Sequence, residues 1–337
     1  MSYFSLKFEN DKLIFINQRL LPDKEEYVET EKYERIAEAI EKLEIRGAPA
    51  IGIAAMYALA LAIKSNSNNF FTAYERLKRT RPTAVNLFNA LETIRKFYEA
   101  DLLNRNYDSL VKFAKKFHKE DENYCNKIGV NGADYLSTIF NCKINILTHC
   151  NTGKFATGGN GTAFSIILEL HRRNLINHVY ACETRPLLQG LRLTSFELMK
   201  NEIPYSIIVD SSAAYLMSKN YIDVVIIGAD RIARNGDVAN KIGTYSHAIN
   251  AKHHNIPFIV AAPSTTIDLK LENGDSIPIE VRDSTELLYF GSERIIQNEI
   301  NTLNFAFDIT PCNLINAIIT EQGVFTQPFN FVNDKDN

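Results

Sequence analysis

Cys150 stands where an apolar segment of the sequence gives way to a loop rich in glycine. Residues 145–162 read NILTHCNTGKFATGGNGT. A thiol beside such a loop and a helix start is expected to have a lowered pKa, and a thiolate is a usable base or nucleophile. Buried cysteines are also common in protein cores. Cys150 is therefore either a core thiol that ends a strand or a group placed for chemistry.

The loop after Cys150 contains four glycines, at positions 153, 158, 159 and 161. Backbone N–H groups beside glycine can approach an anion, and a helix N-terminus favours negative charge. The spacing matches neither the phosphate-binding loop that ends in G-K-[ST] nor the dinucleotide fingerprint G-x-G-x-x-G. The loop is therefore either an anion-binding segment or a tight turn between a strand and a helix.

A second group of candidate residues lies between positions 228 and 241. Asp230 follows the apolar run Val224–Ile227 after a Gly-Ala pair. Its carboxyl can bond the backbone of the next turn, or it can be partly desolvated, with a raised pKa suited to proton transfer. Asn240 and Lys241 are predicted to open a helix and to point toward the same rim.

Two arginines stand beside turn residues in the first third of the chain. Arg46 precedes Gly47 and Ala48, and Arg81 precedes Pro82. Single arginines at such places are commonly surface charges. Two of them together with an exposed backbone amide would also suit the binding of an oxyanion or a phosphate.

The sequence contains no motif for a metal or nucleotide cofactor, so none is expected. His149 and Cys150 are adjacent on a predicted strand and point to opposite faces, which makes them a poor metal or catalytic pair. Five scattered cysteines argue against a disulfide framework and for a reducing compartment. We interpret the other four as structural thiols: Cys125, Cys142, Cys182 and Cys312.

The hydrophobic pattern predicts the elements that hold these groups. From about residue 140, apolar runs alternate with helical patterns, which indicates a parallel sheet buried on both faces. The predicted strands are Ile144–Leu147, Val179–Cys182, Ser206–Val209, Val224–Ile227 and Phe258–Ala261. In a doubly wound α/β domain of this kind, ligands bind outside the carboxyl ends of the strands, where Cys150 and Asp230 lie.

The pattern before residue 130 is different, so we divide the chain into two domains, 1–130 and 131–337. A strand is predicted at Leu13–Asn17, and a buried Ala-rich helix after the turn Arg46–Pro49. Further helices are predicted at Glu31–Leu43, Leu87–Tyr98 and Leu110–Glu122. The fold class is α/β: a mostly parallel, Rossmann-like C-terminal domain and a smaller, mainly helical N-terminal domain with a short β-sheet.

Composition limits the class of protein. The 337 residues are 45% hydrophobic and 23% charged, with a net charge of −3. These values are typical of a soluble globular protein and do not favour nucleic acid as a partner. The N-terminus lacks a signal-peptide pattern, and the longest apolar run, 48–63, is shorter than a bilayer span. We therefore expect a cytoplasmic protein with no membrane partner.

Seven blocks of the sequence resemble one known family, in the family's order and over nearly the whole chain. They are RGAPAIGIAA (46–55), RPTAVNL (81–87), THCNTGKFATGGNGTA (148–163), ETRPLLQGLRLTSFEL (183–198), IGADRIARNGDVANKIGTY (227–245), PFIVAAPSTTID (257–268) and FAFDITPCNLINAIITEQGV (305–324). The chain resembles the methylthioribose-1-phosphate isomerase family, to which the regulatory subunits of translation initiation factor 2B are related.

By position, the resemblance implies that Cys150 and Asp230 are catalytic. It implies substrate binding by Arg46, Gly47, Ala48, Arg81, Gln189, Asn240 and Lys241. It also implies a homodimer, a small sugar phosphate as substrate and no metal or redox cofactor. The translation-factor relatives typically lack the Cys–Asp pair, so the pair favours an enzyme.

The implied reaction converts 5-methylthioribose 1-phosphate to 5-methylthioribulose 1-phosphate. Phosphate on the anomeric oxygen blocks ordinary ring opening, so the ring oxygen must be protonated before hydrogen moves from C2 to C1. Asp230 could supply that proton and Cys150 could take the C2 proton. Alternatively, hydride moves between the carbons and Cys150 only tunes the site. The sequence leaves both routes open and leads us to expect a cleft between the domains.

Two other functions fit the same sequence. One is a related isomerase that acts on 5-deoxyribose 1-phosphate or ribose 1,5-bisphosphate. The residues that line the pocket around the sugar C5 would decide between these substrates. The other is a non-catalytic regulatory binding protein like the translation-factor subunits. Departures from the family pattern at Val281, Phe305 and Phe88-Asn89 leave the 5-substituent open.

Overall fold

The computed structural model describes residues 3–81, 85–290, 293–298 and 300–331. The chain forms two compact units. Unit 1 comprises Met1–Asn126 and Thr152–Ser165, and unit 2 comprises Lys127–Asn151 and Ile166–Asn337. The sequence-based division at residue 130 did not include the return of segment 152–165 to the N-terminal unit.

Unit 1 contains a small antiparallel sheet and a group of helices. The strands are β1 (Leu6–Glu9), β2 (Lys12–Ile16) and β3 (Tyr27–Thr30), paired in the order β1-β2-β3. The helices are α1 (Tyr33–Glu41), α2 (Ala48–Ser65), α3 (Phe70–Lys78), α4 (Val85–Ala100) and α5 (Tyr107–Ile139), the last of which continues past residue 126. The predicted first strand and the helices near 31–43 and 87–98 are confirmed to within two residues.

Helix α2 is apolar on all sides. Every residue from Ala50 to Ile63 is buried, which is the pattern of a helix inside a protein core. It is also the one helix in the described part of the chain that is long and apolar enough to cross a membrane by length and composition. Gly47, directly before it, has φ 90°, which is the conformation that glycine tolerates best.

Helix α5 is much longer than the predicted segment Leu110–Glu122. Two glycines in its second half, Gly129 and Gly132, do not end it. A Cβ atom on Gly132 would lie 2.4 Å from the side chain of Ile166, so the glycine there permits close packing. The sequence pattern does not distinguish such a packing glycine from a helix-ending one.

The elements from β4 onward alternate between strands and helices. In chain order they are β4 (Ile144–Thr148), α6 (Ala163–Arg172), β5 (Ile176–Cys182), α7 (Ser195–Lys200), β6 (Tyr205–Ile208), α8 (Ala213–Ser218), β7 (Val224–Ile227), β8 (Arg231–Ala233), β9 (Val238–Lys241), α9 (Thr244–His253), β10 (Phe258–Ala261), β11 (Ile267–Asp268), α10 (Thr285–Leu288), β12 (Tyr289–Phe290), β13 (Glu293–Arg294), β14 (Phe307–Thr310), β15 (Ala317–Thr320) and β16 (Gly323–Thr326). A π-helical turn, Gly190–Thr194, directly precedes α7.

A seven-stranded sheet forms the centre of unit 2, in the order β16-β15-β10-β7-β4-β5-β6. Its first six strands along the chain are parallel, and β16 pairs antiparallel with β15 at the edge. Strands β7 and β10 are buried at every position, as their continuous apolar sequences predict. The five predicted strands are confirmed, whereas β15 and β16 were not predicted.

The order of the parallel strands reverses next to β4. Numbered along the chain, the six parallel strands lie in the order 3-2-1-4-5-6, because β4 is first and β7 is fourth. In open parallel sheets, ligands bind beyond the carboxyl ends of the strands at such a reversal. The segments that follow β4 and β7 are therefore the first place to look for a functional site.

A smaller four-stranded sheet lies in the same unit, in the order β11-β8-β9-β14. Asn240 and Lys241 are the last residues of β9, opposite Asp308 and Phe307 of β14. The prediction that they open a helix is wrong, because α9 begins only after Gly243. That glycine has φ 102° and makes the turn from strand to helix.

Candidate active site

Cys150 follows β4 at the reversal of the strand order, and its side chain is half-buried. Its backbone has φ 62°, in the left-handed region that a residue with a side chain seldom occupies. Such a conformation costs about 1–3 kcal/mol and persists only where neighbouring groups hold it. The conformation therefore points to a position fixed by its surroundings.

Two buried threonine hydroxyls bind the backbone of Cys150 from both sides. Its N–H donates to Thr184 Oγ1 at 2.9 Å. Its carbonyl accepts from Thr194 Oγ1 at 2.6 Å. Thr184 Oγ1 in turn donates to the carbonyl of Cys182 at 2.9 Å. These bonds stabilise the left-handed backbone at Cys150.

The turn that contains Thr184 is itself held by a carboxylate. The N–H groups of Thr184 and Arg185 donate to Asp210 Oδ1 and Oδ2 at 2.7 and 2.8 Å. Asp210 stands just beyond β6, two strands away from β4 in the sheet. Thr184 also has a left-handed backbone, with φ 66°. The ends of three neighbouring strands are thus joined around the cysteine.

Asn151, the residue after Cys150, is buried and paired as well. Its Nδ2 donates to Glu197 Oε2 at 2.6 Å and to Thr194 Oγ1 at 3.2 Å. Glu197 lies in α7 and is fully buried. The sequence pattern placed Thr184 and Asp210 at the ends of predicted strands but gave no role to them. It gave none to Thr194 or Glu197 either. Three of these four residues lie in the block ETRPLLQGLRLTSFEL, where only Gln189 had been given a role.

Gln189 lies just before the π-helical turn and is 6% exposed. Its Oε1 is buried and has no hydrogen-bond partner among the residues that the structure describes. A Cβ atom on the next residue, Gly190, would lie 1.7 Å from the carbonyl oxygen of Cys182, so this turn packs directly on the end of β5. An unpaired buried amide oxygen suits the binding of a ligand hydroxyl.

Asp230 follows β7, the strand next to β4, after Gly228 and Ala229. Its side chain is half-buried, and its N–H donates to the carbonyl of Ala239 in β9 at 2.9 Å. Cys150 and Asp230 therefore follow the two strands between which the order reverses. Gln189 follows β5 on the other side of β4, so the structure brings three predicted residues to one edge of the sheet.

Asn240 and Lys241 are both buried at the end of β9. Lys241 Nζ donates to the carbonyl of Ala306 at 3.1 Å and lies 4.8 Å from the ring centre of Phe307. Asn240 Nδ2 donates to Thr244 Oγ1 at 2.9 Å. An ammonium group at this depth suits the binding of an anion, because a charge removed from water needs a partner of opposite charge.

A half-buried carboxylate fixes the turn after Lys241. Asp308 accepts from the N–H groups of Gly243 and Tyr245 at 2.7 and 3.1 Å, and so caps the start of α9. Burial raises the pKa of Asp308 to about 6, although these two bonds and the charge of Lys241 act in the opposite direction. The position of Lys241 thus depends on β14 as well as on its own strand.

The predicted residues of unit 1 lie at the start of α2 and after α3. Arg46, Gly47 and Ala48 are half-buried. A Cβ atom on Gly47 would lie 2.3 Å from the Cα atom of Ala156, so no other residue fits there without a shift of the backbone. Arg81 is half-buried, and Pro82 lies outside the described residues.

The glycine-rich loop packs on α5 within unit 1. A Cβ atom on Gly158 would lie 2.5 Å from His118, and one on Gly159 would lie 2.8 Å from the Cα atom of Glu122. The N–H of Gly158 donates to Asp121 Oδ2 at 2.6 Å, and its carbonyl lies 3.1 Å from His118 Nε2. Close packing thus explains why glycine stands at positions 158 and 159, and anion binding is not needed to explain these two glycines.

The comparisons with known proteins agree with this mixed α/β fold. The family model described as the Initiation factor 2 subunit family matches residues 44–327. A curated protein named methylthioribose-1-phosphate isomerase, from Caldicellulosiruptor saccharolyticus, is 48% identical over 332 residues, with 96% of each chain covered.

Solved structures give the same result. The crystal structure of 5-methylthioribose 1-phosphate isomerase from Pyrococcus horikoshii OT3 has a TM-score of 0.90 and 40% identity, with 97% of this chain and 94% of that chain covered. A structure named translation initiation factor eIF-2B, subunit delta, from A. fulgidus has a TM-score of 0.87 and 38% identity, with 97% of each covered. The chain therefore belongs to the Initiation factor 2 subunit family, and within it to the methylthioribose-1-phosphate isomerase family.

Proposed function

We propose that this protein is an aldose–ketose isomerase that converts 5-methylthio-α-D-ribose 1-phosphate to 5-methylthio-D-ribulose 1-phosphate in methionine salvage. The observation that supports it most is the placement of Cys150 and Asp230 after the two strands at the reversal of the sheet order. The names of the relatives supply the substrate and the reaction.

In the proposed reaction Asp230 acts as the acid that opens the sugar ring. The anomeric oxygen bears phosphate, so the ring cannot open through a free hydroxyl group. Asp230 protonates the ring oxygen and later accepts the proton of the C2 hydroxyl. Its half-buried position suits a group that exchanges protons with a bound sugar.

Cys150 acts on the hydrogen of C2 in one of two ways. Either its thiolate takes the C2 proton and returns a proton to C1, or hydride moves directly from C2 to C1 beside the thiol. The two routes differ in a measurable way, because only the first permits exchange with solvent. Turnover in D₂O followed by NMR of the product distinguishes them.

Substrate binding falls to the remaining predicted residues. The unpaired oxygen of Gln189 can accept from a sugar hydroxyl. Arg46, the amides of Gly47 and Ala48, Arg81, Asn240 and Lys241 remain our predicted phosphate- and sugar-binding groups. Arginine guanidinium groups and backbone amides bind phosphate with good geometry, and a buried lysine adds a point charge.

Turnover assays with matched variants test this function. Wild type is expected to convert 5-methylthioribose 1-phosphate faster than 5-deoxyribose 1-phosphate or ribose 1,5-bisphosphate. Cys150→Ser and Asp230→Asn should each reduce kcat about 10²–10⁴-fold, because each removes a proton-transfer group. Cys142→Ser is the control, since Cys142 is exposed. Wild-type rates in either catalytic variant would contradict the assigned role.

A regulatory binding protein remains the second candidate, because the A. fulgidus structure named as a translation initiation factor subunit is 38% identical. Such a protein would bind a sugar phosphate without converting it. The same assay separates the two, if binding is measured by calorimetry beside turnover. Binding of these sugar phosphates without turnover in wild type would favour the regulatory function.

We also propose the finer features of the protein. The strand order 3-2-1-4-5-6 supports a Rossmann-like description of unit 2. A homodimer, which follows from the family, remains a proposal. A cytoplasmic location and the absence of a required cofactor, which follow from the sequence pattern, remain proposals as well. Light scattering of the purified protein tests the homodimer. Full turnover after treatment with a chelator tests the absence of a required cofactor.

A further inference from the structure

Three side chains with metal-binding atoms meet in the core of unit 2. His149, Cys182 and His247 come from the residue after β4, the end of β5 and the first turns of α9. All three are buried, with exposed fractions of 1%, 0% and 3%. Their ligand atoms all lie within 4.8 Å of one another.

Two of the three distances within this cluster are close to those around a bound metal ion. His149 Nδ1 lies 3.3 Å from His247 Nε2, and Cys182 Sγ lies 3.5 Å from the same nitrogen. Metal–nitrogen bonds of about 2.0 Å and metal–sulfur bonds of about 2.3 Å, at angles between tetrahedral and trigonal, place ligand atoms about 3.3–3.7 Å apart. Both of these separations are already close to that range.

The orientation of His149 suits a ligand. Its Nε2 lies 2.9 Å from the carbonyl of Ile242, which can only accept, so Nε2 bears the hydrogen and Nδ1 presents its lone pair to the cluster. Metal-binding histidines almost always donate their second ring nitrogen in this way. His247 differs from His149 in this respect, because its Nδ1 is buried without a hydrogen-bond partner among the described residues.

The net charge of the ion and its three ligands indicates which kind of ion suits the site. A histidine binds a metal ion as the neutral imidazole, so the two rings add no charge to the site. A divalent ion bound to one thiolate would leave a net positive charge in the core, which is costly. A monovalent ion and a thiolate are neutral together, and soft thiolate ligands select Cu(I).

We propose that His149, Cys182 and His247 form a three-coordinate structural site for a soft monovalent metal ion, and that this ion is Cu(I). Binding forms one sulfur–copper and two nitrogen–copper bonds and releases the thiol proton of Cys182 to solvent, with no change of oxidation state. The ion links β4, β5 and α9, and is distinct from the chemistry proposed for Cys150 and Asp230.

Copper titration of the whole chain tests this site. Protein is expressed in copper-supplemented medium, so that loading does not require opening of the core, and is then titrated anaerobically with bathocuproine disulfonate. Wild type is expected to retain one Cu(I) per chain at chelator concentrations that strip Cys182→Ser and His247→Leu, with an affinity difference of at least about 100-fold. Cys142→Ser and Cys150→Ser should retain copper as wild type does.

X-ray absorption of the loaded protein gives an independent result. One sulfur and two nitrogen neighbours are expected. Equal copper retention in wild type and Cys182→Ser, or a spectrum with two or more sulfur neighbours, would overturn the proposal and leave a hydrogen-bonded core cluster. Circular dichroism checks that each variant is folded. If Cys182→Ser does not fold, His247→Leu and the spectrum decide the question.

Discussion

At the scale of single residues, the position of Cys150 depends on hydrogen bonds to its backbone. Its left-handed conformation is bound by Thr184 on the N–H side and by Thr194 on the carbonyl side. Neither threonine needs to contact a substrate to affect the thiol. Both are therefore positioning residues, and their variants should change the rate more than the affinity.

Replacement of Thr184 by valine tests this role. The change keeps the shape but removes the acceptor for the Cys150 N–H, which leaves a buried donor unpaired at a cost of about 1–3 kcal/mol. We expect kcat to fall about 10–100-fold with little change in KM, because the thiol is displaced from its position. Steady-state kinetics and urea unfolding measure the two effects.

Two further variants make the Thr184 result specific. Thr184→Ser keeps the hydroxyl group and should restore most of the rate. Thr138→Val is the matched control, because Thr138 is exposed and its hydroxyl bonds only the nearby carbonyl of Tyr135. A Thr184→Ser protein as slow as Thr184→Val would show that the hydroxyl group is not the cause.

The candidate site was only partly predictable at this scale. Cys150 and Asp230 are reactive side chains at the ends of predicted strands, so residue type and position indicate them. Thr184 and Thr194 act through bonds to the backbone of a residue 34 and 44 positions away. Threonine is common in turns, so its identity alone does not reveal such a partner.

At the scale of elements, the segment between β5 and α7 depends on glycine. Gly190 lies against the carbonyl of Cys182, and Gln189 and the π-helical turn flank it. π-Helical turns occur frequently at functional sites. The packing leaves no room for a side chain at position 190.

Gly190→Ala is expected to destabilise unit 2 strongly. Its Cβ atom would lie 1.7 Å from the Cys182 oxygen, so the backbone must move, at a cost of about 3 kcal/mol or more. Gly323→Ala is the control, because it meets nothing within 4 Å and adds only strain from its φ of 145°. Thermal unfolding compares them, and equal midpoints would contradict the packing argument.

Strands were predicted better than the ends of helices or the short polar strand β9. Runs such as VVII and FIVA are apolar throughout, and burial on both faces leaves few other structures for them. Strand β9 reads VANK, and its polar end is stabilised by pairing with β14, which lies far along the chain: Lys241 pairs with Phe307 and Asn240 with Asp308. That long-range pairing has no local pattern, so Asn240 and Lys241 were assigned to a helix.

At the scale of the whole molecule, the chain returns to unit 1 after it has begun the sheet of unit 2. Segment 152–165 is bound there by Asp121, whose carboxylate accepts from Gly158. Local hydrophobic patterns do not reveal to which unit a loop returns, so the sequence-based boundary missed this segment. Because the carboxyl group of Asp121 is buried, the stability of segment 152–165 in unit 1 depends on pH.

Burial raises the pKa of Asp121 from 3.8 to about 6. Between these values the folded chain binds more protons than the unfolded chain, so this group's contribution to stability falls as pH rises from about 4 to about 6. The loss is about 3 kcal/mol. Asp121→Asn should remove this loss of stability, because the amide oxygen accepts the same hydrogen bond without carrying a charge.

Urea unfolding between pH 4 and 7 measures this effect. The stability of wild type relative to Asp121→Asn should decline across the window and then level off above about pH 6. Other groups titrate equally in the two proteins, so the difference isolates Asp121. A difference that does not vary with pH would show that Asp121 ionises at an ordinary pKa in the folded chain.

The left-handed backbone at Cys150 also determines how the chain would respond to selection for heat resistance. Glycine occupies that conformation without the steric penalty of a side chain, so Cys150→Gly should raise stability by about 1 kcal/mol while it removes the thiol. A variant library sorted by heat treatment alone would therefore accumulate glycine at position 150 and become inactive. A library sorted by growth that requires conversion of the proposed substrate would keep cysteine there.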